Sequence, residues 1–281
     1  MPIPGLSLFG ALDKDQAIAY MASQSVMDGA RALSAWQVAR AKIRSRAAPA
    51  PARILALPPS CDSHLVAVRS QPRFEKTYSG APFEFGLAEI EGLRACQLHV
   101  AVATPKYDLA PADPQGSVSD ELLEMCLPTR LPEVIPKWNR IGNEDVGSIS
   151  YYCGDQFEFR ILGAGPSLPD HVEAVQGVGI VIGVGFGLVL VIRAGDVLYL
   201  ANGYHRTINL MLSGHRYVPC IVQTVAPGTD VPAVFKLPHP MLSQASPPIT
   251  CRDYRLAARI QLRRHHRVIN LTWAQTLVPD E

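Results

Sequence analysis

Residues 13–46 carry a helical pattern of apolar positions. Apolar residues recur there every three or four positions, which predicts a helix with one buried face. Asp13 or Asp15 is suited to cap its start, and the Asp28-Gly29 pair predicts a break into two helices. Four basic residues close the segment: Arg40, Lys42, Arg44 and Arg46. They complement the helix dipole; contact with a nucleic acid or a partner protein is the alternative interpretation.

After an Ala/Pro linker, the pattern changes to short apolar or alternating runs between turn residues, which are typical of strands. Strands are predicted at residues 53–57, 65–69, 83–87, 98–102, 188–192, 197–201 and 217–222. Short helices are predicted at 90–96, at 119–127 with Ser119 as the cap, and at 207–213. Gly214 follows the last of these, where a helix C-terminal glycine belongs.

Three strand pairs are predicted to be consecutive in the chain. Residues 149–152 and 157–162 form a predicted hairpin around Gly154-Asp155. Strands 188–192 and 197–201 are joined by a two-residue turn at Gly195-Asp196. Near the C-terminus, strands 258–262 and 268–273 flank the basic turn Arg263–Arg267. A helix over 253–264 is the alternative there.

The glycine- and aliphatic-rich run 178–192 is the one stretch that resembles a membrane span. It is shorter than the roughly 20 residues that a helix needs to cross a bilayer. It also contains four glycines, and Arg193 closes it. We therefore expect buried strand and turn, and no association with a membrane.

Composition favours a globular α+β protein. Of the 281 residues, 48% are hydrophobic and 18% charged, which allows a sizeable core. The pattern divides the chain into an N-terminal helical segment (1–48), an α/β domain (53–225), and a Pro-rich segment with a C-terminal hairpin (226–281). The net charge of +1 excludes a global basic field, so nucleic-acid binding would need a local patch.

The six cysteines include no C-x-x-C pair, which argues against a zinc or thioredoxin-like site. The start of the sequence lacks the features of a secretory signal. We therefore expect reduced core cysteines and a cytoplasmic location.

The most informative stretch is residues 197–210. A strand-like run stops at Asn202-Gly203, and a helix-like run follows. Unpaired N–H groups and the positive end of the helix dipole make such a junction suited to phosphate. His205 and Arg206 add side chains that can bind the same anion.

The order of elements from Gly187 to Val222 resembles the core of the ParB/sulfiredoxin-like family. The shared pattern is strand, turn, strand, a Gly-x-His/Arg-Arg motif (here Gly203-Tyr204-His205-Arg206), a short helix, a glycine, and a strand with Val218-Pro219. An upstream family segment with a polar Gln corresponds to residues 85–100, with Gln97. The resemblance implies a mixed sheet with short helices and nucleotide binding at the motif.

The same resemblance limits the chemistry. The family's reductase has a reactive Cys where this chain has Tyr204. Its partition proteins carry an acidic residue and two arginines after the Gly, and a helix-turn-helix domain that is not evident here. Nuclease-like and kinase-like members often have Asp at the position of Asn202, which cannot ionise. The resemblance therefore implies binding more strongly than any one reaction.

The candidate site residues have both functional and structural interpretations. Arg206 would pair with phosphate, or form a salt bridge in the fold; His205 would donate to phosphate or act as acid/base, or be a structural histidine. The catalytic candidates are thus His205 and Arg206. The ligand-binding candidates are Asn202, Gly203, Tyr204 (by stacking on a base), Thr207 and Asn209. Burial of Tyr204 and capping by Thr207 or Asn209 are the structural alternatives.

Three hypotheses follow for function. The first is a protein that binds a nucleotide (ATP or CTP) or DNA, with Mg²⁺, and acts as a hydrolase of the nuclease or NTPase type. The second is a non-catalytic regulatory or DNA-associated module that keeps the fold. The third is a protein that acts by protein–protein contact through its N-terminal helices. The acidic candidates for a metal or a general base are Glu89, Glu91 and Asp196.

Overall fold

The structure is a computed structural model that describes most of the chain. It leaves out residues 1, 49, 72–73, 75–77, 79–81, 103–106, 115, 130–138, 142–147, 154–158, 167–177, 185–186, 264–266 and 273–281. For the strands within 139–184 and 267–272 it describes the backbone alone.

The first two helices begin at aspartate caps. Helices α1 to α7 span Lys14–Gln24, Gly29–Arg44, Asp62–Arg69, Asp120–Cys126, Tyr204–Leu212, Val231–Val234 and Met241–Gln244. The Asp13 carboxylate accepts the Gln16 N–H at 2.9 Å, and Asp28 accepts the Arg31 N–H at 2.9 Å. Both caps satisfy first-turn donors, which confirms the predicted pair of helices and the break between them.

Strands are short, and most of them pair with partners distant in sequence. Strands β1 to β13 span Ile3–Ser7, Ile54–Leu55, Phe83–Glu89, His99–Ala101, Asn139–Ile141, Ser148–Cys153, Phe159–Pro166, Val178–Val184, Leu190–Ala194, Val197–Asn202, Tyr217–Val225, Ala258–Leu262 and Arg267–Thr272. Helices and strands together confirm the α+β class.

The chain forms two compact units. The first comprises residues 1–130 and 187–264. It contains a five-stranded sheet in the order β10-β9-β11-β3-β2 and a three-stranded sheet in the order β12-β1-β4. Strands β9 and β11 are parallel, and the other pairs are antiparallel. Its core includes the fully buried Leu87, Leu93, Leu200, Ile208 and Ile221.

The second unit comprises residues 131–186 and 265–281. Its sheet has the order β13-β6-β5, and β7 pairs with β8. These units differ from the predicted segments. The N-terminal helices and most of the Pro-rich segment belong to the first unit, and the predicted α/β domain is interrupted by part of the second.

The hairpins predicted at 149–162 and at 258–273 are wrong, whereas the predicted pairing of 188–192 with 197–201 is confirmed. Strand β6 pairs with β5 and β13, and β7 pairs with β8. Strand β12 pairs with β1 and β13 with β6, so they form no C-terminal hairpin, and a 3₁₀ turn at Cys251–Arg255 precedes β12. Strands β9 and β10 do pair across Gly195-Asp196. The two-residue turn sets the register of this pair locally.

Two shorter elements also differ from prediction. The expected strand at 65–69 is part of α3, where Val68 is buried and Val66 is 64% exposed. A five-residue apolar run is compatible with the residue spacing of a helix as well as that of a strand. The expected helix at 90–96 does not form. A turn closed by the Leu93 N–H and Ile90 O stands at its start, and the backbone after it bonds to other segments: Arg94 N–H donates to Leu198 O, and Ala95 N–H to Ile249 O.

The glycine-rich run 178–192 is divided between β8 and β9. Within the described part of the chain, no helix is both long and apolar enough to cross a membrane. Five of the six cysteines have described side chains, and these five are buried with no disulfide among them: Cys61, Cys96, Cys126, Cys220 and Cys251. The expectation for Cys153 lies outside the described side chains.

Candidate functional site

The junction of β10 and α5 requires a glycine. Gly203 has φ +88° and is the N-cap of α5. A Cβ atom there would lie 2.8 Å from Val189 Cγ2 and 3.1 Å from Val189 Cα. Left-handed backbone and close packing thus select glycine independently of any ligand. The neighbouring Asn202 Oδ1 accepts the Gly203 N–H at 2.8 Å, so its amide oxygen closes the turn.

Tyr204 points into the core. Its side chain is 4% exposed, and its hydroxyl oxygen accepts the Cys96 N–H at 2.8 Å. Burial raises the pKa of Tyr204 well above its ordinary value. In this conformation the ring has no open face for a base, and its role is to join α5 to the extended segment before β4.

His205 packs against β4. Its Nδ1 accepts the Ala101 N–H at 3.0 Å, and its Nε2 lies 3.2 Å from Gln97 Nε2. Burial lowers the pKa of His205; the Ala101 contact opposes that shift and the neighbouring Arg206 adds to it. We therefore expect a neutral ring at pH 7, with the Nδ1 lone pair engaged by the backbone.

Arg206 bridges two helices. Its guanidinium donates to the Met125 carbonyl at 2.7 Å, in the last turn of α4. The carbonyl end of α4 therefore faces a cation at the start of α5. The same charge lowers the pKa of Tyr107 and Cys126 against the larger effect of burial, which raises both.

Thr207 and Asn209 lie inside the fold. Thr207 is fully buried, and its N–H donates to Gly203 O at 2.9 Å. Asn209 is 6% exposed, and its amide donates to Ala101 O at 2.9 Å and to His205 O at 2.6 Å. Both side chains are buried, so neither reaches a ligand in solvent, and Asn209 holds α5 through its two hydrogen bonds.

The structure thus brings the candidate residues together at one end of α5, as the sequence indicates. It also adds partners that the sequence does not reveal: the backbone groups of Cys96, Ala101 and Met125. A backbone carbonyl or N–H has no sequence signature, so these could not be found by motif. The Gln97 side chain, from the segment before β4, also lies beside His205.

The acidic candidates lie elsewhere. Glu89 bonds to Arg53 at 3.2 Å and to Arg216 at 2.8 Å, and Glu91 bonds to Arg255 at 2.8 Å. Asp196 lies in the exposed β9–β10 turn. The described residues contain no group of three or more His, Cys, Asp or Glu side chains able to hold a metal ion.

Comparisons with known proteins add no assignment. No protein-family model, no curated protein and no solved structure matches this chain.

Proposed function

We propose that this chain is a non-catalytic binding protein, in which the strand–turn–strand–helix core has a structural role. One observation carries the proposal: the motif side chains whose contacts are described bond to backbone groups of the fold. Asn202 bonds to Gly203, Tyr204 to Cys96, and Arg206 to Met125. His205 and Asn209 both bond to Ala101.

The position of Arg206 supports a structural role. An arginine in the first turn of a helix opposes the dipole, and a bound phosphate would offset that cost. Here the Met125 carbonyl, in the last turn of α4, supplies the negative partner. No ligand is therefore needed to explain why a cation stands at the start of α5.

The state of His205 argues against catalysis. A general base needs a free lone pair within hydrogen-bond reach of its substrate. Nδ1 of His205 already accepts the Ala101 N–H, and Asn202 cannot ionise. Neither residue is thus placed to activate water or a hydroxyl group.

Calorimetry and thermal unfolding with ATP and CTP, with and without Mg²⁺, test the proposal. The variants are Arg206→Ala and Arg206→Lys, with Arg44→Ala as an exposed control. We expect no nucleotide-dependent heat or shift in Tm, and a lower Tm in both Arg206 variants. The proposal fails if a nucleotide binds the wild type and Arg206→Lys loses it, or if the protein cleaves DNA with Mg²⁺ or Mn²⁺.

The second candidate is binding of a nucleotide or DNA phosphate at Asn202–Thr207, with hydrolysis by a ParB-like nuclease or NTPase. One feature favours it: Gly203 supplies no side-chain cap, so the positive end of α5 lacks the neutralisation that Asp13 gives α1. The same calorimetry separates the two candidates. A cytoplasmic location is also a proposal, supported by the five unpaired buried thiols.

A further inference from the structure

A groove runs along one face of α2 in the first unit. It consists of two adjoining concavities of about 400 and 350 Å³ that share Lys42 and Leu256. One wall is α2 and the residues just after it; the other is the segment 252–258. We call it the α2 groove, and its lining is Arg31, Ser34, Ala35, Val38, Ala39, Lys42, Ser45, Arg46, Ala47, Arg252, Asp253, Arg255, Leu256 and Ala258.

The helical wall follows from sequence spacing. Arg31, Ala35, Val38 and Lys42 are three or four positions apart, so they share one face of α2. From Arg31 to Lys42 the helix rises about 16 Å. That length matches about three turns of a helical peptide, and the alanines in the wall allow close approach.

The groove exposes apolar side chains. Val38 is 57% exposed and Leu256 is 36% exposed. They are two of the six large hydrophobic residues that are exposed in the described part of the chain. Their location on opposite walls of one concavity gives an occupant two apolar contacts.

The rim of the groove is basic. Five cations line it against one carboxylate, Asp253, which is buried and pairs with Arg46 at 3.4 Å. Among the described residues, Lys42 and Arg252 are exposed and have no ion-pair partner. The rim therefore has a positive charge that the fold does not neutralise.

We propose that the α2 groove binds an acidic, amphipathic segment of a partner protein, with carboxylates at Lys42 and Arg252 and an apolar side chain between Val38 and Leu256. The proposal rests on the chain being a binding protein. Exposed valine and leucine favour a peptide over nucleic acid, because an amphipathic peptide can bury an apolar side chain against them whereas a phosphate backbone cannot. The net charge of +1 also gives no extended field for a phosphate backbone.

Fluorescence anisotropy with the full chain tests the charge requirement. The probe is a labelled helical peptide of Glu, Leu and Ala, about twelve residues long to match the α2 wall. We expect the wild type to bind it, and K42E/R252E to raise Kd at least about tenfold. The matched control R44E/R259E changes exposed arginines outside the groove lining and should leave Kd within about twofold.

The apolar contact has its own control. Val38→Ser should raise Kd about fivefold, whereas Val66→Ser, at a valine 64% exposed on α3, should leave it unchanged. A peptide with Ser in place of Leu should bind the wild type more weakly than the original probe.

Four outcomes overturn the proposal. They are no binding by the wild type, equal loss in both charge-reversal variants, tighter and groove-dependent binding of a double-stranded DNA fragment, or a wild-type dimer that K42E/R252E dissociates. The last two would assign the groove to nucleic acid or to a second copy of the chain. The peptide titration depends on groove residues and the nucleotide titration on Arg206, so one can fail without the other.

Discussion

Two regions of the first unit carry cations, and they use them differently. At the β10–α5 junction, Arg206 donates to the Met125 carbonyl and His205 accepts the Ala101 N–H. In the α2 groove, Lys42 and Arg252 are exposed and unpaired among the described residues. The junction has the motif, whereas the groove has the available charge. A basic side chain indicates a ligand only after its partners within the fold have been counted.

Helix packing explains the difference. The last turn of α4 meets the start of α5, so an arginine and a carbonyl can neutralise each other inside the fold. Among the residues that the structure describes, the Lys42 ammonium group has no such partner. The two regions therefore make opposite predictions: substitutions at the junction should change stability, and those in the groove should change binding.

The largest effect is expected at Gly203. Gly203→Ala would place a Cβ 2.8 Å from Val189 Cγ2 in left-handed backbone. We expect it to lower the free energy of unfolding by about 3 kcal/mol, from overpacking and backbone strain together. Urea unfolding followed by circular dichroism measures it. Gly195 also has left-handed backbone, with φ +60°, but an added Cβ would meet open space. Gly195→Ala should therefore lower the free energy of unfolding by only about 1 kcal/mol. Equal losses would show that close packing at Val189 is not the cause.

Arg206 comes next. Arg206→Ala removes the donor to the Met125 carbonyl and should lower the free energy of unfolding by about 2 kcal/mol. Arg206→Lys keeps a cation and should lose less. Arg44→Ala, on the exposed end of α2, should lose under about 0.5 kcal/mol. If Arg206→Ala unfolds at the same urea concentration as the wild type, the bridge between α4 and α5 has no structural role.

A smaller, pH-dependent effect is expected at His205. Burial lowers its pKa in the folded state, so the unfolded chain binds a proton more readily. The stability from the neutral ring is present above the ordinary histidine pKa of about 6.5 and is lost as pH falls through the lower folded value.

The free energy of unfolding, measured from pH 8 to pH 5, should therefore decline less steeply in His205→Gln than in the wild type. Burial also lowers the pKa of His215 and His239, so part of the slope should remain. Parallel curves for variant and wild type would contradict a buried neutral ring.

The smallest stability effect is expected in the groove. Lys42→Ala and Arg252→Ala remove exposed cations without ion-pair partners, so each should change the free energy of unfolding by less than about 0.5 kcal/mol. The same urea titration measures it, beside Arg206→Ala. A loss as large as that of Arg206→Ala would mean that the groove cations are structural, and would remove the contrast between the two regions.

Local signals predicted local structure. The cap at Asp13, the helix break at Asp28-Gly29, the Gly195-Asp196 turn and the glycine after α5 all hold, because each depends on a few adjacent residues. The hairpins predicted at 149–162 and 258–273 fail because β12 pairs with β1 and β6 with β13, and both pairs join strands that are far apart in sequence. The alternation of apolar positions and the turn residues specify a strand, but they do not specify its partner when the connection is long.

At the junction, the sequence indicated the right neighbourhood but not its chemistry. Residues 202–209 do meet at the start of α5, and Gln97 lies beside His205. Whether Arg206 is free or engaged depends on where α4 ends, which is set by the packing of an element some eighty positions away in the chain. No pattern around Arg206 carries that information.

The sequence by itself determined the α+β class, the cap at Asp13, the helix break at Asp28-Gly29, the β9–β10 turn and Gly214 at the end of α5. These follow from backbone sterics and hydrogen bonds within a few residues. The tertiary structure alone decided the strand partners, the burial of Tyr204, Thr207 and Asn209, and which cations remain available. The reason is that partners and burial are set by long-range packing. It brings the Met125 carbonyl to Arg206, and it leaves Lys42 and Arg252 exposed with no ion-pair partner among the described residues.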